Sequence, residues 1–150
     1  MDDKTTEFLL LNDVLRKKRE TLETILAISE NQEVLLNSPP TAERAAIFKE
    51  MSAEKQKGID EVIRCDGVFE TMFEPLKPYL DQKTPYRDIL VKTQALVDDV
   101  LTLDAQIRAQ EAKNRELLSD QIPAFQKKNA TVTDHAKRAL ISRYKENSKP

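Results

Sequence analysis

Two glycines, one cysteine, one histidine and no tryptophan are spread over 150 residues. So little glycine leaves scant material for tight turns and none for a glycine-rich phosphate loop; no G-x-S-x-G turn occurs either. A lone cysteine, Cys65, excludes an internal disulfide and gives an oxidising compartment no support. With only one imidazole, His135, beside that thiol, metal sites of the usual Cys/His spacing are excluded, and carboxylates alone would offer only hard-cation binding. Cys65 falls in a long apolar-striped segment and His135 in a loose tail, so a Cys/His nucleophile pair is not expected. The longest early apolar run, Phe8 to Leu11, is far short of a membrane span or a signal-peptide core, and no basic leader precedes it. The expectation is a soluble, cytoplasmic protein with no stable membrane insertion, no catalytic residues, no metal and no cofactor.

What the chain does have is charge. A third of its residues are Asp, Glu, Lys or Arg, strewn through the apolar segments at helical intervals, which is the composition of long solvated helices rather than of disorder. The charge is uneven. Residues 121–150 hold seven Lys/Arg against two Asp/Glu, while residues 1–120 hold 17 against 24. The basic tail lacks dense Lys/Arg clusters and interleaved aromatics, so nucleic acid is not an expected partner. Adjacent acids such as Asp98 and Asp99 point about 100° apart on a helix and read as solvated surface.

Prolines punctuate the sequence. Pro39 and Pro40, then Pro75, Pro78 and Pro85, then Pro123 separate three periodic stretches and a tail. The first, Lys4 to Leu36, carries Phe8, Leu11, Leu15, Leu22, Ile25 and Leu36 on a three-four spacing that Lys18, Ser29 and Gln32 interrupt. Thr41 is placed to cap a second helix running to about Glu74, with Glu43 in its first turn. Its seam comprises Phe48, Met51, Val62, Cys65, Phe69 and Met72, widened by Ile47, Ile59, Ile63 and Phe73, so Cys65 reads as core. Gly58 and Gly67 inside this helix imply a closely approaching neighbour or a bend, and close packing is the favoured choice. Thr84 followed by Pro85 signals the start of a third helix. Its stripe is Ile89, Leu96, Val100, Leu103, Ile107 and Leu117 or Leu118, and Gln110, Glu111 and Asn114 make its last third polar and, by this reading, weakly packed.

The fold expected is all-α: an elongated antiparallel bundle of three long helices over residues 1–118, followed by a loosely packed or partner-binding segment over residues 119–150. In that segment Thr131 or Thr133 could cap a short, mobile final helix ending near Lys145. No fixed-period repeat is present, which excludes a solenoid.

With the helices placed, the chain resembles the FlgN family of flagellar type III export chaperones. The resemblance rests on Leu15–Leu26 (LRKKRETLETIL), Glu54–Ile63 (EKQKGIDEVI) and Leu103–Leu118 (LDAQIRAQEAKNRELL); FliT-type chaperones share a similar third-helix run. It implies a cytoplasmic chaperone, monomeric or homodimeric. Such a protein holds the amphipathic terminal helices of hook-filament junction proteins and hands its cargo to the export gate. It also implies capture of cargo by the C-terminal region, here Leu118, Ile122, Phe125, Val132, Leu140, Ile141 and Tyr144. Two other readings compete: a homodimeric coiled-coil scaffold whose stripes pair between chains, and, more remotely, a histidine phosphotransfer domain built on His135. The latter has the wrong helix order, since only 15 residues follow His135.

Overall fold

The computed structural model describes residues 3–80 and 85–121; Met1, Asp2, residues 81–84 and residues 122–150 lie outside the described set. Three long helices, α1 (Asp3–Leu36), α2 (Ala42–Phe73) and α3 (Arg87–Gln121), make up nearly all of it, and no strand occurs among the described residues. A 3₁₀ helix, Glu74–Tyr79, follows α2. The all-helical bundle expected from composition is what forms.

Local chemistry sets most boundaries. At the end of α1 the Asn37 and Ser38 amides donate to the carbonyls of Glu33 and Leu35, and Pro39 and Pro40 stop further winding. Thr41 then takes an extended conformation, and its Oγ1 accepts from the Arg44 amide at 3.0 Å, satisfying one of the free donors of α2. After α2 the chain tightens into the 3₁₀ turn through Pro75 and Pro78, which drives Leu76 fully into the core. The start of α3 differs from expectation. Pro85 lies two residues before the helix, Thr84 lies outside the described residues, and the Leu90 amide donates to the Tyr86 carbonyl at 2.9 Å. Packing decides this start. The Tyr86 ring is buried against Phe8, with centroids 5.3 Å apart, and meets Tyr79 edge-on, so α3 begins where that plug fixes the backbone.

The helix α1 is the centre of the bundle. Antiparallel α2 lies on one side, in a register marked by Lys18 against Asp66, Ile25 against Gly58, and Gln32 against Ser52. On the other side α3 runs parallel to α1. Asn12 meets Thr93, Arg19 meets Asp99, Ser29 meets Glu111, and the Leu36 carbonyl meets Gln121, at sequence separations of 80 to 85. No Cα of α2 comes within 8 Å of one in α3, so these two helices touch only through side chains. Flanked on two faces, α1 buries the whole of its apolar stripe, Phe8, Leu11, Leu15, Leu22, Ile25 and Leu36.

Two apolar clusters result. One end is closed by Phe8, Leu11, Leu76 and Tyr86, with Phe69, Met72 and Phe73 packed around them. The middle is filled by Leu22, Ile25, Ile59, Val62, Val100 and Ile107. The two glycines of α2 behave differently. A Cβ on Gly58 would sit 2.8 Å from Ile25 Cγ1, so this glycine lets α1 approach, whereas one on Gly67 would meet nothing within 4 Å, and close packing is not its explanation. The far third of α3 also departs from expectation. Rather than loosely packed, Glu111 and Asn114 are buried, because polar groups on α1 and α2 stand opposite them.

Candidate partner-binding surface

Of the residues that the family resemblance marks for cargo, only Leu118 falls within the described set, half-buried near the end of α3. Ile122, Phe125, Val132, Leu140, Ile141 and Tyr144 lie outside it, as do His135 and the capping threonines Thr131 and Thr133. The helix itself runs on to Gln121, past residue 118. Gln121 donates to the Leu36 carbonyl and accepts from Arg44 Nη2 at 2.8 Å, which ties the end of α3 to the α1–α2 turn. The described part of the chain therefore ends beside that turn.

On the body of the bundle, α1 and α2 form an outer groove. Its walls are Leu10, Val14, Val68 and Met72, with Cys65 at the floor and Asp13, Lys17 and Arg64 on the rim. Leu10 is 50% exposed there, although it lies two positions from a fully buried core residue. The apolar arc of each helix is simply wider than its buried seam. Leu10 and Val14 extend the α1 stripe by one row, and Val68 and Met72 do the same on α2. Isolated exposed apolar residues such as Val34 and Leu101 need no explanation, but side chains from two helices lining one trough form a surface. Sequence reading placed Met72 and Cys65 on the seam and missed Leu10, Val14 and Val68. The detectable signal was a second apolar row next to the first.

The rim charges are arranged in local pairs. Asp13 accepts from Arg16 at 2.8 Å, and Glu61 holds Arg64 at 2.7 Å. The hydrogen bond from Arg64 keeps the Glu61 carboxyl below its usual range, while Glu61 in turn raises Arg64. Cys65 is pushed upward, first by burial and then by the Glu61 charge, so it stays a neutral thiol rather than a nucleophile. The groove is open and holds about 340 Å³, at the low end of small-molecule pockets and without their convergent polar groups. Its shape and chemistry suit a row of apolar side chains from another helix. The corresponding α1–α3 groove is lined by Arg19, Glu23, Asp99, Thr102, Leu103 and Gln106, and Arg19 bridges it to Asp99 at 3.2 Å. A polar trough of that kind offers an apolar stripe little.

Deeper in the bundle, between Ser29 and Leu36, lies a layer that is polar on all three helices. Lys55 Nζ and Ser29 Oγ both donate to Glu111 Oε1, the lysine at 2.6 Å. Asn114 Nδ2 donates to the Ser29 carbonyl at 2.7 Å, and Gln32 donates to Ser52 at 3.0 Å. At the edge, Gln110 donates to both Asn114 and Glu33, and Lys113 bridges to Glu33 at 2.9 Å. The Lys113 and Gln110 bonds hold the Glu33 carboxyl below its ordinary value. Lys55 is displaced downward, with burial the larger cause and the Glu111 charge working against it. Among the described residues no group of three or more His, Cys, Asp or Glu is placed to hold a metal ion, and no helix is long and apolar enough to cross a membrane.

No protein-family model matches the chain, and neither a curated protein nor a solved structure is significantly similar to it.

Proposed function

We propose that the protein is a non-enzymatic, cytoplasmic helix-binding chaperone of the FlgN type, taking the amphipathic terminal helix of a hook-filament junction protein before export. The observation that carries this reading is the α1–α2 groove. Leu10, Val14, Val68 and Met72 form an apolar trough between charged rims, which is the complement of one face of an amphipathic helix. The sequence resemblance supplies the identity of the occupant, and the basic tail from Ile122 onward supplies a second contact. Association would draw on apolar burial in the trough, offset by the ordering of the partner helix.

Co-expression with candidate hook-filament junction proteins tests the reading. Full-length protein should retain such a partner, Leu10→Glu should lose it, and removal of residues 122–150 should weaken it. The cut belongs after Gln121, because removing Ser119 onward would also break the bonds from Gln121 to Arg44 and Leu36. Retention that is indifferent to both changes would refute the proposal. A tight homodimer sealed by the same groove would favour the coiled-coil scaffold instead.

A further inference from the structure

Each helix carries its main polar interruption at the same height of the bundle: Ser29 and Gln32 on α1, Ser52 and Lys55 on α2, and Glu111 and Asn114 on α3. The match is incomplete, because Gln32 Oε1 is buried without a hydrogen-bond partner among the described residues. We propose that the bundle opens along this layer, with α3 beyond Ile107 lifting away from α1 while its Leu96–Ile107 stretch stays docked.

The physical basis is the difference between the two halves of α3. Leu96, Val100 and Ile107 are buried, the last two in the central apolar cluster, and separating them from α1 exposes surface that water receives poorly; the buried Asp104 of this stretch pairs within α3, with Arg108 at 2.7 Å. Separating Glu111 and Asn114 hydrates a lysine, a carboxylate, an amide and a hydroxyl, whose burial cancels much of what their mutual bonds contribute. On the α2 side this region is held by side chains alone, Lys55 to Glu111 and Arg44 to Gln121, since no Cα of α2 comes within 8 Å of one in α3. Low-stability units of this kind are where local opening occurs. The inference rests on the core alone and does not depend on the identity of any partner.

Residue-resolved amide hydrogen exchange on the full-length protein tests it. Amides of residues 108–118 should exchange at least about tenfold faster than those of residues 96–107. The paired replacement Lys55→Met with Glu111→Leu should slow residues 108–118 by about tenfold. In the opposite direction, Lys55→Ala should accelerate residues 108–118 by at least about tenfold, and they should remain faster than residues 96–107. Uniform protection along α3 would overturn the proposal. So would exchange of residues 108–118 that neither variant changes, which is fraying of a helix end.

Discussion

Lys55 Nζ lies 2.6 Å from Glu111 Oε1, with the two side chains 3% and 7% exposed, and joins two helices whose Cα atoms never approach within 8 Å. An ion pair buried this far gains Coulomb energy and loses hydration in comparable measure, so its main effect is on which arrangement forms rather than on how stable it is. A lysine at position 55 accepts only a register of α3 that brings Glu111 opposite it. Slippage by one helical turn would leave both charges buried and alone.

Breaking the pair from one side should be costly. Lys55→Met should destabilise the fold by about 3–5 kcal/mol, because Glu111 would keep its buried carboxylate without its cation. The double variant, Lys55→Met combined with Glu111→Leu, should be close to neutral or stabilised by about 1–4 kcal/mol. Denaturant unfolding of the wild type and both variants checks this, and equal losses in the single and double variants would contradict it.

The two glycines of α2 should respond with opposite signs. Gly67→Ala places a methyl in open space and should stabilise the protein by about 0.5–1 kcal/mol through helix propensity. Gly58→Ala drives a methyl to 2.8 Å from the buried side chain of Ile25, and should cost about 1–3 kcal/mol despite the same gain in propensity. Thermal melts of the pair separate the two effects.

Asp66 should set a component of the pH dependence. Burial raises its pKa above the usual aspartate value, while the Lys18 ammonium at 2.6 Å works in the other direction. The folded state thus binds this proton more tightly than the unfolded chain, in which an aspartate titrates near about 3.9. The Asp66 contribution is fully present below that value and falls as pH rises through the folded pKa. Glu33 and Glu61, whose pKa values are lowered, have the opposite sign: their contributions are present above the unfolded glutamate range and are lost on acidification. Carboxyl NMR titration should place Asp66 above an ordinary aspartate and both glutamates below an ordinary glutamate. The stability of Asp66→Asn relative to the wild type should increase from acid to neutral pH, and a flat difference would contradict the assignment.

The parts of the fold that are local in origin could be read from sequence. The α1 stripe from Phe8 to Leu36, the proline stop at residues 39 and 40, and the Thr41 cap depend on spacing and on single-residue chemistry, and the structure places them as read. What could not be read depends on neighbours far away in the chain. Ser29, Gln32, Lys55, Glu111 and Asn114 each look like a gap in a stripe, and only their shared height in the bundle turns five gaps into one buried layer. Gly58 and Gly67 are the same residue in the same helix, and the α1 side chains Ile25 and Thr21, which face only the first, distinguish them. Tyr86, just before α3 begins at Arg87, is packed against Phe8 78 residues away, a contact that no local signal announces. The α1–α2 groove was half legible, since its extra apolar rows are in the sequence but their meeting across two helices is not.

The proposed role of the trough of Leu10, Val14, Val68 and Met72 is to receive an amphipathic helix. Methyl NMR of the full-length protein, titrated with the terminal-helix peptide of a hook-filament junction protein, tests it most directly. Saturable shifts centred on the methyls of those four residues are expected, with at least about a tenfold loss of affinity in Leu10→Glu, equivalent to about 1.4 kcal/mol. Binding that leaves these methyls unmoved, or that Leu10→Glu does not weaken, would contradict it.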